Sequence, residues 1–219
     1  MQSPRSRTRE QREAVRRDAT ISTGGLARHP ASRAAEAGGS AVIHLDADRF
    51  FLSVHAREDP SLRESPGCAP VALYQYNDVV CCSSGARALG VRKHMTPQQA
   101  LLLLTPAGGR LLHAYWRDWP GPRTWYGPYQ AASRELFGAL RAAVDATPAA
   151  GALIERASID EAYIEITEAA AAAAGEQDAL ALAERVARTL PRAVAAAVDL
   201  PVCCGVARNK LLAKLASTR

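Results

Sequence analysis

Long apolar runs are missing from this chain: none reaches the ~18 residues that a membrane-spanning helix needs, and no apolar stretch with a small-residue cleavage site opens it. Membrane and secreted proteins are therefore not the expectation. CxxC spacing is missing too. Cys68, Cys81, Cys82, Cys203 and Cys204 include two vicinal pairs on strand-like runs, which would send neighbouring thiols to opposite faces of a sheet. Small buried hydrophobes in a reducing compartment are expected rather than a zinc site. No internal repeat is visible.

Lysine is absent from the first 40 residues, which carry 8 Arg against 4 acids, whereas residues 41–219 carry 19 basic and 18 acidic side chains. The formal charge of +5 is thus a property of the tail. That segment, rich in Arg, Ser, Ala and Gly, lacks apolar periodicity and cannot offset its ordering entropy, so disorder is expected. A solvated tail is the preferred reading, with an organellar transit peptide or a basic arm on DNA phosphates as alternatives.

From Ser40 the pattern predicts a strand over AVIHLD, a tight turn, and a helix over FFLSVHARE. PVALYQY and DVVCCSS read as a hairpin broken at Asn77 and Asp78. The next helical stretch is interrupted near Gly90 and restarted by Thr96 and Pro97. Between Thr105 and Pro128 the density of Gly, Pro, Trp and Tyr argues against any regular element. An amphipathic helix (YQAASRELFGALRAAV), a strand pair around Asp160, a long Ala-rich helix broken at Gly175, the strand LPVCCGV and the helix RNKLLAKLAS complete the order. This is an α+β chain with an antiparallel-rich sheet and helices on one face.

Two distant segments deliver acids at strand ends: HLDAD with Asp46 and Asp48, and SIDEA with Asp160 and Glu161. Clustered carboxylates raise one another's pKa unless a cation neutralises them, and Mg²⁺ takes one or two carboxylates together with phosphate oxygens. Two such ions suit in-line nucleotidyl transfer. Spacing alone does not separate this reading from two acidic turns on an exposed sheet edge.

Four segments carry more. IHLDADRFFLSVHAREDPSLRESP, SSGARALGVRKHM, SIDEAYIEIT and CGVARNKLLAKLAS resemble, in order, the Y-family (UmuC/DinB-type) translesion DNA polymerases, and are most similar to the eukaryotic eta and iota branch. The resemblance covers residues 41–217. It implies a ferredoxin-like palm over residues 41–83 and 116–219, and a small fingers subdomain over 84–115. The thumb and little finger would be absent, so the chain reads as a truncated polymerase.

The resemblance also assigns roles. Asp46, Asp160 and Glu161, with the Ala47 carbonyl, would hold two Mg²⁺ ions, Mn²⁺ being possible; Asp48 falls on a position that is not usually a ligand. Phe51 would lie under the incoming sugar and exclude a 2′-hydroxyl by clash, with Phe50 packed beside it. Backbone N–H groups of Arg49, Phe50 and Phe51 suit triphosphate oxygens at a helix start. Arg87 and Lys93 match finger residues that meet the triphosphate and nascent base, and Gln75 a position near the template base. Lys210 and Lys214 are similar to basic residues on the triphosphate side of the palm. Ser84 and Gly85 replace the family's Tyr-Glu, so Ser84 keeps a hydroxyl for phosphate but loses reach, and His55 replaces a Glu and is expected to pack.

The partners implied are primer–template DNA, an incoming dNTP and, through sequence beyond Arg219, a sliding clamp; no membrane is implied. The location implied is the nucleus, with organellar targeting by the Arg-rich tail as the alternative. A non-catalytic palm-fold module and a nucleotidyl cyclase are the competing functions.

Overall fold

The computed structural model describes residues 39–118, 123–176 and 178–218. The tail expected over residues 1–40 lies outside them save for Gly39 and Ser40, and Ser40 already opens the first strand. That strand, β1 (Ser40–Ala47), leads into α1 (Phe50–Glu58) through two residues. Arg49 makes the turn in the left-handed region, φ 50 and ψ 44, at a cost of about 1 kcal/mol for a residue with a Cβ. Ser53 offsets it, its N–H donating to the Arg49 carbonyl (2.9 Å) and its hydroxyl to the Asp48 carbonyl (2.8 Å).

The chain continues through β2 (Val71–Gln75), β3 (Asp78–Cys82), α2 (Ser84–Ala88), α3 (Pro97–Leu104), β4 (Arg110–His113), β5 (Trp116–Arg117) and β6 (Arg123–Thr124). Then follow α4 (Gly127–Asp145), β7 (Leu153–Arg156), β8 (Glu161–Thr167), α5 (Glu168–Ala173), α6 (Ala179–Val198), β9 (Val202–Ala207) and α7 (Lys210–Ser217). Local signals hold where they are strong. Thr96 and Gln99 cap each other reciprocally at the start of α3, and Gly175, at φ 72, separates α5 from α6.

The main sheet is antiparallel with the order β7-β8-β1-β9. Its register sets Ile43 beside Ile164 and Val206, and His44 beside Tyr163 and Gly205. Side chains alternate. Ile43, Leu45, Ile164 and Ile166 therefore share one face, each at most 1% exposed, and form one core with Leu136 and Leu140 of α4 and Leu182 and Leu190 of α6. Each such side chain contributes about 1.5–3 kcal/mol by leaving water. The other face carries His44, Asp46, Glu161 and Tyr163, and α7 lies against it. Gly205 permits that approach, because a Cβ there would overlap the Ala213 carbonyl oxygen and the Ser217 nitrogen.

A second sheet, β3-β2-β4, has its own small core of Ala72, Val79, Cys82, Val91, Ala100 and Leu104. The architecture is α+β and antiparallel-rich, as expected. Residues 105–128 depart from expectation. They contain β4, which pairs in parallel with β2 (Leu73 beside Leu112), and the small hairpin β5–β6; the partner of β4 lies far off in sequence, and β5 and β6 are two residues each, too short for any alternation to show. Of the cysteines, Cys81 and Cys82 are buried, but Cys68, Cys203 and Cys204 are only half-buried. Among the described residues no helix is long and apolar enough to cross a membrane.

Candidate active site

The β1–β8 register places Asp46 directly opposite Glu161 on the polar face. The two strand ends are fastened there: the Ala47 N–H donates to the Asp160 carbonyl (3.1 Å) and the Asp48 N–H to the Pro201 carbonyl (2.8 Å). Ser158 builds the break that precedes β8. Its hydroxyl donates to the Asp160 carboxylate (2.6 Å) and accepts from the N–H groups of Asp160 (3.2 Å) and Glu161 (3.1 Å). Acids distant in sequence thus meet at one end of the sheet.

Their electrostatics follow from crowding. Burial first, then Asp160, Glu161 and Asp48, push the Asp46 carboxyl up to about 6, and Lys214 opposes this. Lys214 Nζ lies 2.7 Å from Glu161 Oε1, and that contact raises the lysine. Behind them His44 shares a hydrogen bond with the Ser217 hydroxyl (2.7 Å), and burial lowers its pKa. Burial, with Asp48 and Asp46, pushes the Cys203 thiol up to about 12 and keeps it neutral.

A cleft of about 850 Å³ opens over this end of the sheet. Asp46, Asp48, Glu161 and Lys214 line it from the sheet, and Arg49, Ser84, Arg87 and Lys93 from the turn before α1 and from the segment between β3 and α3. Acids able to hold hard cations therefore share a space with groups able to hold phosphate. Among the described residues, however, no three His, Cys, Asp or Glu side chains already stand as a metal-binding group; Asp160 is turned onto Ser158 and Glu161 onto Lys214.

Other expected residues lie elsewhere. Phe50 is core, 2% exposed, so only its backbone is available to a ligand. Phe51 is half-buried and braced edge-to-face on Tyr129, centroids 4.7 Å apart. Gln75 accepts from the Tyr126 hydroxyl (2.7 Å) and does not line the cleft. Lys210 is also outside it, paired with Glu155 at 2.6 Å. His55 packs as expected, stacked on Tyr115 (4.1 Å, 11°).

Glu64 was not anticipated. It lines the cleft, pairs with Arg49 (2.8 Å), and accepts from the Ser84 N–H and, at 3.2 Å, from the Ser84 hydroxyl. It thereby engages Ser84, whose hydroxyl is expected to meet phosphate, and the guanidinium of Arg49, of which only the backbone N–H is. Nothing in the local sequence distinguishes it from its charged neighbour Arg63, since only the fold carries it to Ser84.

The impB/mucB/samB family model matches residues 45–218. DNA polymerase IV of Ectopseudomonas mendocina (strain ymp) is 34% identical over 176 residues, covering 80% of this chain and 43% of that protein. DNA polymerase IV of Pseudomonas putida (strain GB-1) is 34% identical over 176 residues, covering 80% and 42%. The chain thus spans about 43% of the length of the curated relatives it matches. The crystal structure of DinB from Sulfolobus solfataricus superposes with a TM-score of 0.60 at 24% identity, covering 80% of this chain and 44% of that one, a likeness of fold. A Dbh ternary complex does so with a TM-score of 0.59 at 25% identity and the same coverage. These polymerase IV relatives are bacterial, which overturns the expected nuclear location, and they lend no support to the eta and iota branch. By this match over most of its length, the chain belongs to the impB/mucB/samB family, the UmuC/DinB-type Y-family that its motifs resemble.

Proposed function

We propose that the chain forms the nucleotidyl-transfer centre of a template-directed DNA polymerase of the damage-bypass type, with residues 41–83 and 116–219 as palm and 84–115 as fingers. One observation carries this reading: Asp46 faces Glu161 across the ladder in a cleft that Arg49, Arg87 and Lys93 also line, and Asp160, outside the cleft lining, is tied beside them through the Ala47 N–H. Names of relatives, DNA polymerase IV among them, agree with it.

In this reading Asp46, Asp160, Glu161 and the Ala47 carbonyl are the donors for two Mg²⁺ or Mn²⁺ ions. The all-oxygen donor set suits hard cations, and the uncompensated crowding around Asp46 is what such charge would relieve. Bound there, the ions would supply activation of a primer 3′-hydroxyl and charge neutralisation on the leaving pyrophosphate. Lys214 releases Glu161 when the donors are engaged. Arg87, Lys93 and Ser84 hold the triphosphate, aided by the N–H groups of residues 49–51 at the start of α1, where no side chain caps the helix. Phe51, stiffened by Tyr129, closes the space a 2′-hydroxyl would need. Gln75 meets the template base. Primer–template DNA and dNTP are the partners, with a sliding clamp as a further one.

A non-catalytic palm-fold module is the second reading, and two contacts favour it: Lys214 already neutralises Glu161, and Glu64 already occupies Arg49 and Ser84. Primer extension with Mg²⁺ or Mn²⁺ decides. Incorporation that disappears in Asp160→Asn/Glu161→Gln supports the polymerase; no incorporation at low salt and high protein, with the fold intact, supports the module.

A further inference from the structure

Among the described residues the exposed large aromatic side chains all lie in one place. Tyr76 (57% exposed) sits on the β2–β3 turn, Trp116 (39%) on β5, and Trp125 and Tyr126 (37% each) just beyond β6. They form one surface. Tyr76 meets Trp116 edge-on at 6.1 Å, Trp116 meets His113 at 4.9 Å, and the Thr124 N–H donates to the Tyr76 hydroxyl at 3.5 Å. Tyr76 is also held in the left-handed region, φ 53, so the turn presents its ring at a backbone cost. Rings left in water together mark a binding surface.

The charges on this surface are unbalanced. Arg117 and Arg123 are exposed and lie directly opposite each other in the β5–β6 ladder, where like charges repel. Among the described residues neither has an ion-pair partner; Asp118 is adjacent, but its carboxylate accepts the Trp116 indole N–H at 2.8 Å. Arg117 is seated as a plane, 4.0 Å over the Trp125 ring. Trp125 is fixed in turn by Gly127, where a Cβ would stand 2.8 Å from indole Cε2. Flat apolar faces beside two uncompensated cations fit a polyanion that carries flat faces of its own.

We propose that this hairpin surface is a stacking platform for single-stranded DNA, with bases on Tyr76 and Trp116 and phosphates on Arg117 and Arg123. Duplex DNA hides its base faces, and an acidic peptide has none to offer. The choice of an unpaired template strand rests on the polymerase reading, through the hydrogen bond from Tyr126 to Gln75; the stacking chemistry does not.

The test is fluorescence anisotropy of the full chain with fluorescein-labelled oligodeoxythymidylate, against a duplex of equal length. Tyr76→Ala and Trp116→Ala are each expected to weaken single-strand binding by about fivefold or more, the effect of one lost stacked base, with duplex binding unchanged. Trp116→Phe keeps a ring and is expected to retain binding, which separates stacking from misfolding. Arg117→Gln/Arg123→Gln is expected to lower the salt slope by about 1.4, two phosphates at ~0.7 each. Single-strand binding indifferent to all four variants, or lost equally for duplex, overturns the platform. Primer extension is scored separately. Variant-sensitive binding without incorporation upholds the platform and sinks the polymerase, and incorporation with variant-insensitive binding does the reverse.

Discussion

Asp46 stands directly across the β1–β8 ladder from Glu161, both on the polar face of a sheet whose other face is core. That pairing is unfavourable for the fold by itself, since burial and three neighbouring acids all disfavour the Asp46 anion. Asp46→Asn is therefore expected to raise stability at neutral pH by about 1 kcal/mol, a figure discounted for its partial exposure, while incorporation falls to background. Chemical denaturation and primer extension on the same sample check both halves. A destabilised variant would mean that Lys214 already compensates the charge.

Phe50 and Phe51 are neighbours with opposite fates, one in the core and one half-buried against Tyr129. Phe51→Ala is expected to cost about 1–2 kcal/mol, because the ring is only half-buried, and to admit ribonucleotides, read as the ratio of ribo- to deoxyribonucleotide incorporation. Phe50→Ala is expected to cost about 3–5 kcal/mol in a denaturation midpoint. Unchanged sugar selectivity in the first variant would remove the gate.

Glu64 holds Arg49 and Ser84. If those groups take phosphate, the carboxylate competes with it. Glu64→Gln is expected to tighten binding of a non-hydrolysable dNTP by up to about fivefold, the worth of one partly exposed charge, as measured by intrinsic fluorescence. Weaker binding would show that Glu64 serves to position the two residues.

His55 is kept neutral by burial, its pKa lowered from 6.5. Its Nε2 accepts from the Tyr129 hydroxyl (2.7 Å), which itself accepts from the Tyr115 N–H (3.3 Å). Because the folded pKa lies below the unfolded one, stability is complete above about pH 6.5 and is lost as pH falls below it towards the folded value. His55→Gln is expected to flatten that slope in denaturant midpoints between neutral and mildly acidic pH. Asp46, raised to about 6, acts with the opposite sign, so the difference between the two proteins isolates His55.

Much of this was legible because it is local. The β1–turn–α1 unit, the Thr96 cap and the Gly175 break are written in alternation, capping chemistry and glycine. The acids of HLDAD and SIDEA were recognisable by type. β4, β5 and β6 were not, because a short strand is defined by a partner elsewhere, and Leu112 has no strand character until Leu73 lies beside it.

The sequence by itself determined the long helices, the strands with clear apolar patterning and which residues carry charge, since propensity, periodicity and caps act within a few residues. Only the tertiary structure decided that Asp46 faces Glu161, that Lys214 and Glu64 reach into the cleft, and that Tyr76 joins Trp116 on one surface. Those relationships come from strand order and helix docking, settled by packing one apolar sheet face against α4 and α6 and by Gly205 admitting α7 on the other.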